Sequence, residues 1–559
     1  MLRSGRLFTT GTHYIYGYDS PSPRTPSPPG TAPSWAYGAV IYQIFPDRFR
    51  NGNPANDVQD AEYPYGEEYD EGPVPIRRAR SWDEEIHDPD VGTFHGGDLA
   101  GILEKLPYLK SLHVDAIYLN PVFVSPSNHK YDVADYEHID PHLTTGDLET
   151  TNAYFADFVA ECHKAGIRVI LDGVFNHCSS KHPFFVKALE DPESRYHRMF
   201  RFDEDGIPEY WWGVKTLPKF DYENSPELVD YMMGIAAKWV SPPYCCDGWR
   251  LDVAPELGHS EAFNHEFWKR FRKAVKEADP EALILAETYE DPSPYLQGDE
   301  WDTVMNYRGF MDPVSFYLTG MEKHSDAARP DLRQHAGAFM EGISVGIREL
   351  CPEGTDGSAL FTALNQLDNH DHSRMITRTN GVIGRLLSAG PSAASEGIRP
   401  ALYRLASLLQ FTLPGCPGIY YGDETALPGW TDPDSRRPFP WGREDHWLTD
   451  FYMYLSALHR EKAFRYGSLT VIEEDILLFL RAYGTERYLI AVNPGQEGRF
   501  LNLRLSELFP GEELTLSRVL GTVEDIVSVG VKKPRPLTDG NFVFTMPPLS
   551  GKVYRIARA

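Results

Sequence analysis

Apolar residues along this chain come in short runs that end in polar side chains. Between the runs lie longer stretches with helical spacing. Ala39–Phe45 is the first strong run and ends at Pro46-Asp47-Arg48-Phe49. Runs follow at 114–119, 167–171, 246–251, 282–286, 302–306, 360–366 and 417–421. Most are followed by a helical period: 99–112, 151–165 closed by Gly166, 228–240, 261–278, a long stretch over 312–350, and 399–412. Strands alternating with helices predict a parallel sheet, and this many repeats predict a closed (β/α)8 barrel, an α/β fold. Residues 178–231 lack the rhythm and read as a subdomain inserted after the third strand. From about residue 464 the pattern changes to short strands at 468–472, 476–482, 487–492, 541–546 and 553–556, which predict a C-terminal antiparallel β-sandwich. The domain map is therefore 1–35 as a short, weakly strand-like segment (7–10 and 14–16) and a Pro/Ser linker at 20–30, then 36–463 as barrel, then 464–559 as sandwich.

Composition narrows the function. The chain has 559 residues and a net charge of −27 from 54 basic and 81 acidic residues. That balance argues against nucleic acid or an anionic membrane as partner, because both require basic surface. Six cysteines show no CxxC spacing, which favours free buried thiols and a reducing compartment. Met1–Leu7 lacks the apolar core of a signal peptide, and no apolar run reaches the ~18 residues of a membrane span. A cytoplasmic protein is the expectation.

The polar residues that end the predicted strands carry the chemistry: Asp172, Asn176 and His177, then Arg250 and Asp252, Glu287, and His370 with Asp371. Active sites of this barrel are built from those ends. Arg250 and Asp252 are two residues apart on one strand and so share a face. A lone Arg-Asp pair is as readily structural, but several carboxylates ending apolar strands call for a user. The set suits glycoside hydrolysis, which places one carboxylate on each side of the scissile bond. Asp252, oriented and held ionised by Arg250, is the expected nucleophile. Glu287 ends an apolar strand with no adjacent cation in sequence and is the expected general acid. Asp371 then binds sugar hydroxyls and steadies the oxocarbenium-like transition state, with His177 and His370 as donors. Asn51-Gly52-Asn53-Pro54-Ala55-Asn56-Asp57 is rich in oxygen donors, yet spacing alone favours a plain surface turn.

Asp172-Gly173-Val174-Phe175-Asn176-His177, Gly248-Trp249-Arg250-Leu251-Asp252, Ala286-Glu287 and Asn369-His370-Asp371 resemble, in order, the four signature regions of the alpha-amylase family of glycoside hydrolases (family 13). Finer features are similar to its cyclomaltodextrinase, neopullulanase and maltogenic amylase branch. The resemblance implies a structural Ca²⁺ held by Asn51, Asn53, Asn56, Asp57, Gly96 and Asp98. It implies a sugar-stacking Tyr131 from His129-Lys130-Tyr131-Asp132, and sugar contacts from Asp432 and Arg436. It implies an α-glucan substrate: cyclodextrins, maltooligosaccharides, pullulan or starch, cut at α-1,4 and also α-1,6 bonds through a covalent glycosyl-Asp intermediate. A 4-α-glucanotransferase on the same scaffold is the alternative, and a non-catalytic carbohydrate-binding homologue the remote one. Departures from the branch are Pro255 where it has Asn in Val-Ala-Asn-Glu, and Thr288-Tyr289 where it has Ile-Trp. Tyr289 remains able to stack on the leaving-group sugar. The branch's N-terminal β-domain, which helps build a cleft-narrowing dimer, has no counterpart in residues 1–35, so a homodimer is left open.

Overall fold

In the computed structural model, residues 15–18, 32–67, 72–473, 476–523, 535–537 and 541–559 are described. The run at 7–10 and the linker at 20–30 lie outside them. Eight parallel strands form the barrel: β1 Ile41–Ile44, β2 Ala116–Leu119, β3 Arg168–Gly173, β4 Gly248–Leu251, β5 Leu283–Ala286, β6 Thr303–Val304, β7 Leu364–Gln366 and β8 Cys416–Tyr420. Each pairs with its sequence neighbours, β8 returns to β1, and a parallel bridge from Met305 to Leu364 joins β6 to β7.

Alternation sorts the strand residues into two layers. Ile41, Ala116, Tyr118, Ile170, Leu283, Leu285, Met305 and Leu364 fill the barrel interior. Tyr42, Ile117, Leu119, Leu171, Trp249 and Ile284 face the surrounding helices. Burial on both faces is why these strands read as continuous apolar runs. Gly248 opens β4 where a Cβ would lie 2.4 Å from the Leu283 carbonyl oxygen, so glycine allows the close approach of β5.

Local chemistry sets the helices. Pro226–Val240 starts with Ser225 as N-cap and Pro226 in the first turn. Glu261–Ala278 starts with Ser260 as N-cap and buries Phe267, Trp268, Phe271 and Val275 at helical spacing. The expected helix at 99–112 is two, Leu99–Glu104 and Leu106–Ser111, because Pro107 follows the break. The long stretch after β6 is a π-turn at Tyr307–Met311, a helix Asp312–Thr319 closed by Gly320 at φ 73°, and a helix Ala336–Leu350. The run at 360–366 divides into a helical turn, Ser358–Thr362, and the three-residue β7.

After β3 the chain leaves the barrel for a segment with helix Pro183–Glu190 and scattered bridges, tied to the end of β3 by a His177–Lys219 bridge. At the C-terminus an antiparallel sheet holds Ser468–Glu473, Leu477–Tyr483, Glu486–Asn493, Ser550–Arg558 and Leu514–Gly521. Ile15–Tyr18 adds to its edge against Ser468–Glu473. Leu501, Leu503, Phe544 and Met546 of a two-stranded sheet pack on its one face. Its other face, through Phe479, Ile490 and Val553, joins the barrel core.

Candidate active site

Strand register assembles the centre of the mouth. Asp172 of β3 lies directly opposite Arg250 of β4 in the parallel ladder. Arg250 is fully buried, and its Nη1 donates to Asp172 (2.9 and 3.1 Å) and to Asp252 (2.8 Å). Its Nη2 lies 2.6 Å from Glu287 Oε2, an ion pair without hydrogen-bond alignment. The expected contact between Arg250 and Asp252 is present. Glu287 has no cation adjacent in sequence; the one beside it, Arg250, comes from the neighbouring strand.

One guanidinium therefore faces three buried carboxylates. Burial pushes the Asp252 carboxyl well above the ordinary range, Arg250 pulls it back, and Glu287, Asp172 and Asp371 add to the rise. Burial likewise raises Asp172 against the pull of Arg250. Arg250 thus orients Asp252, while desolvation outweighs it in setting the charge. Three like charges around a single cation favour retention of a proton within the group. A carboxyl that starts protonated beside one that is ionised is what acid and nucleophile roles require.

Glu287 is fixed from two further sides. Its Oε1 accepts from Tyr307 Oη (3.1 Å) and its Oε2 from the Val253 N–H (3.1 Å). Val253 makes that contact from the left-handed region, φ 37° and ψ 46°. For a β-branched residue this conformation is strained, and such strain persists where the surroundings over-determine it. Next along, Pro255 lies in a turn held by Asn264 Nδ2, which donates to three backbone oxygens, of Ala254, Pro255 and Leu257. Glu256 accepts from Trp211 Nε1 at 2.6 Å, which links the segment after β4 to the insertion.

The other expected residues gather around this centre. Tyr131 donates to Asp172 (2.8 Å), accepts from Asn120 Nδ2 (2.8 Å), and stacks on His370 with ring centroids 5.1 Å apart. His370 Nε2 lies 3.3 Å from Asp371 Oδ2, and burial with Arg436 and Arg250 nearby lowers its pKa well below normal. Burial takes His177 down to about 3, and its Nε2 is buried with no geometric hydrogen-bond partner among the described residues. Arg436 is more engaged by protein than the resemblance implies: Nε donates to the His370 carbonyl (2.8 Å) and Nη2 to Asp371 Oδ1 (3.2 Å), with Asp432 Oδ2 at 3.5 Å. Its position makes it a clamp on Asp371. Tyr289 stacks on Tyr307 (4.6 Å) and meets His372 Nε2 through its hydroxyl (3.3 Å).

Residues outside the expected set also belong here. Tyr307 lies just past the predicted strand at 302–306. Trp211 stacks on His177 at 4.7 Å and on Trp212 at 4.8 Å, and Trp212 is 78% exposed. An adjacent aromatic pair in an irregular insertion was the available signal.

The expected cation loop can be tested residue by residue. Asn51 Oδ1, Asn56 Oδ1 and Asp57 Oδ2 are buried without a hydrogen-bond partner, which suits an oxygen-seeking ion. A Cβ on Gly96 would lie 2.5 Å from Asp57 Oδ1, so glycine permits close backbone approach to the loop. Against this, Asp57 Oδ2 pairs with Arg78 at 2.5 Å. Asp98 accepts N–H groups of Gly52, Asn53 and Gly101 and caps helix Leu99–Glu104, while Asn53 Oδ1 accepts from Ala55 N–H. Asn51, Asn56 and Asp57 fit a Ca²⁺; Asp98 and Asn53 are turned to the backbone. No cluster of three His, Cys, Asp or Glu side chains suited to a metal occurs among the described residues.

A barrel with paired carboxylates at its C-terminal mouth is the architecture of a glycoside-hydrolase barrel. A family model described as the alpha-amylase catalytic domain matches residues 43–212 and 201–463. Neopullulanase 2 of Thermoactinomyces vulgaris is 35% identical over 493 residues, covering 85% of this chain and 73% of that protein. Cyclomaltodextrinase of Thermoanaerobacter pseudethanolicus is 34% identical, with 84% and 73% covered. Among solved structures, cyclic α-maltosyl-(1→6)-maltose hydrolase from Arthrobacter globiformis is similar with TM-score 0.71 and 28% identity, over 95% of this chain and all of that one. The debranching enzyme from Nostoc punctiforme gives TM-score 0.71 and 30% identity, over 94% and 99%. The chain belongs to the alpha-amylase family of glycoside hydrolases.

Proposed function

We propose that this protein hydrolyses α-1,4 and α-1,6 glucosidic bonds of α-glucans with retention, through a glycosyl intermediate on Asp252. The observation that carries the reading is the sharing of one buried guanidinium by Asp252 and Glu287, at the mouth ends of adjacent strands. Asp252 is the nucleophile. Glu287 protonates the leaving oxygen and then, as base, activates water. Asp371, clamped by Arg436, and His177 and His370 bind the hydroxyls of the sugar at the cleavage point, with Tyr131 beneath it. Tyr289 and the Trp211–Trp212 pair supply aromatic faces for flanking sugars. Asp432, at the rim, takes the next sugar.

The α-1,6 bond is included because relatives named for α-(1→6) cyclic hydrolysis and debranching match nearly the whole chain. Asn51, Asn56 and Asp57 hold a structural Ca²⁺ in this reading, fixing the loop against helix Leu99–Glu104. Six free cysteines support a reducing, cytoplasmic setting. No helix among the described residues is long and apolar enough to cross a membrane.

Chromatography of products from β-cyclodextrin, soluble starch and pullulan tests the reading. Opening of cyclodextrin or pullulan to short oligosaccharides supports it. Accumulation of products longer than the substrate marks a glucanotransferase, and no turnover on all three overturns the assignment.

A further inference from the structure

A cavity of about 560 Å³ lies away from the mouth, where the connection before helix Ala336–Leu350 meets the C-terminal domain. It is lined by Pro330, Arg333, Gln334, Arg399, Gln496 and Leu549. No carboxylate among the described residues lines it. Neither guanidinium makes an ion pair or a side-chain hydrogen bond among the described residues, and Arg333 Nε is buried with no partner. In a chain with 81 acidic residues to 54 basic ones, two unpaired arginines facing one cavity are unexpected. Asp331, the carboxylate closest in sequence to Arg333, is already engaged by Arg329 at 2.7 Å. Burial and the charge of Arg399 both lower the pKa of Arg333, so each cation destabilises the other. Arg399 also stands at the N-terminus of helix Pro400–Thr412, which no side chain caps and whose dipole adds positive potential.

We propose that this cavity binds a small phosphate monoester between Arg333 and Arg399. A guanidinium fork matches phosphate oxygens, and a dianion neutralises both cations at once. The amides of Gln334 and Gln496 provide donors and acceptors for the organic part. The volume lies in the range of small-molecule sites. The site is distinct from the barrel mouth and uses none of its residues.

The test is calorimetric titration of the full chain with inorganic phosphate, glucose 6-phosphate and glucose at constant ionic strength. Wild type is compared with Arg333→Gln and Arg399→Gln, and circular dichroism verifies that each variant folds. The proposal expects saturable binding of both phosphates at one site per chain. It expects Kd to rise at least about tenfold in either variant, the loss of one charge-assisted contact. Hydrolysis without phosphate stays at the wild-type rate. Tighter binding of glucose 6-phosphate than of phosphate shows that the sugar fills the cavity, and equal binding shows that the phosphate group alone is read. Absence of saturable phosphate binding, or binding that both folded variants retain, overturns the proposal.

Discussion

Replacing Asp172 by Asn probes the charge arrangement at the mouth. The substitution keeps size and shape but removes one of three carboxylates around Arg250. Oδ1 of Asp172 and of Asp252 lie 2.9 and 2.8 Å from the same Nη1, so they are less than ~6 Å apart. At an effective dielectric of about 20, their repulsion is at least about 3 kcal/mol. That repulsion favours the protonated form of Asp252, so its removal favours the ionised nucleophile. The acid limb of kcat/KM therefore moves to lower pH. Activity still falls. Asp172 Oδ2 accepts from Tyr118 (2.6 Å) and Tyr131 (2.8 Å), and an amide nitrogen at that position cannot accept from either. Each lost charge-assisted hydrogen bond is worth about 2 kcal/mol, so kcat is expected to fall roughly 30- to 1,000-fold. The assay is the pH–rate profile on one maltooligosaccharide, with thermal unfolding alongside. A lower kcat with an unmoved acid limb, or a limb displaced upward, refutes the electrostatic reasoning and leaves Asp172 a packing residue.

Three further outcomes follow from particular side chains. Trp212→Ala removes an exposed aromatic face stacked on Trp211 and should raise KM for long maltooligosaccharides about 3- to 10-fold, with little change for a short aryl glucoside; an equal effect on both removes Trp212 from the chain-binding surface. Chelation should lower Tm and added Ca²⁺ restore it, by about 3 kcal/mol when the ion stands at ~100 times its Kd, and Asn56→Ala should erase the response; an unchanged Tm contradicts the loop assignment. Burial lowers His182 from 6.5 to about 4, and its Nδ1 accepts from Phe184 N–H. Because the unfolded chain takes up that proton first, stability is intact above pH ~6.5 and falls with pH down to about 4. His182→Gln should flatten the urea-unfolding slope in that window by up to about 1.4 kcal/mol per pH unit, and a slope equal to wild type refutes the linkage.

The barrel was legible because each of its strands is buried on both faces and ends in polar chemistry. β6 and β7 were expected to be longer than they are. An apolar run such as Leu360–Leu364 has no period that separates a helical turn from a strand. Three C-terminal strands, Arg499–Arg504, Leu514–Gly521 and the two-residue Arg535–Pro536, were missed, although Phe500, Leu501, Asn502 and Leu503 of the first alternate between an exposed outer face and the buried one. Arg250 and Asp252 share a face by strand parity, which a sequence displays directly. The contact of Arg250 with Glu287 depends on the pairing of β4 with β5, where Arg250 stands opposite Leu285, and no local pattern encodes that register. The same holds for Tyr307, brought to Glu287 by a π-turn, and for Trp211, brought to His177 from an irregular insertion. Arg436 was read as a sugar contact from its motif, while its guanidinium is directed at His370 and Asp371.

The central claim is that Asp252 carries the glycosyl group. Mass spectrometry of the Glu287→Gln variant incubated with α-glucosyl fluoride addresses it directly, because the fluoride leaves without acid assistance while water is no longer activated to release the sugar. The account predicts a single added glucosyl residue on the peptide containing Asp252, absent when Asp252→Asn is combined with Glu287→Gln. An adduct on Asp371 or Asp172, or turnover with no adduct and inverted anomeric product, contradicts it.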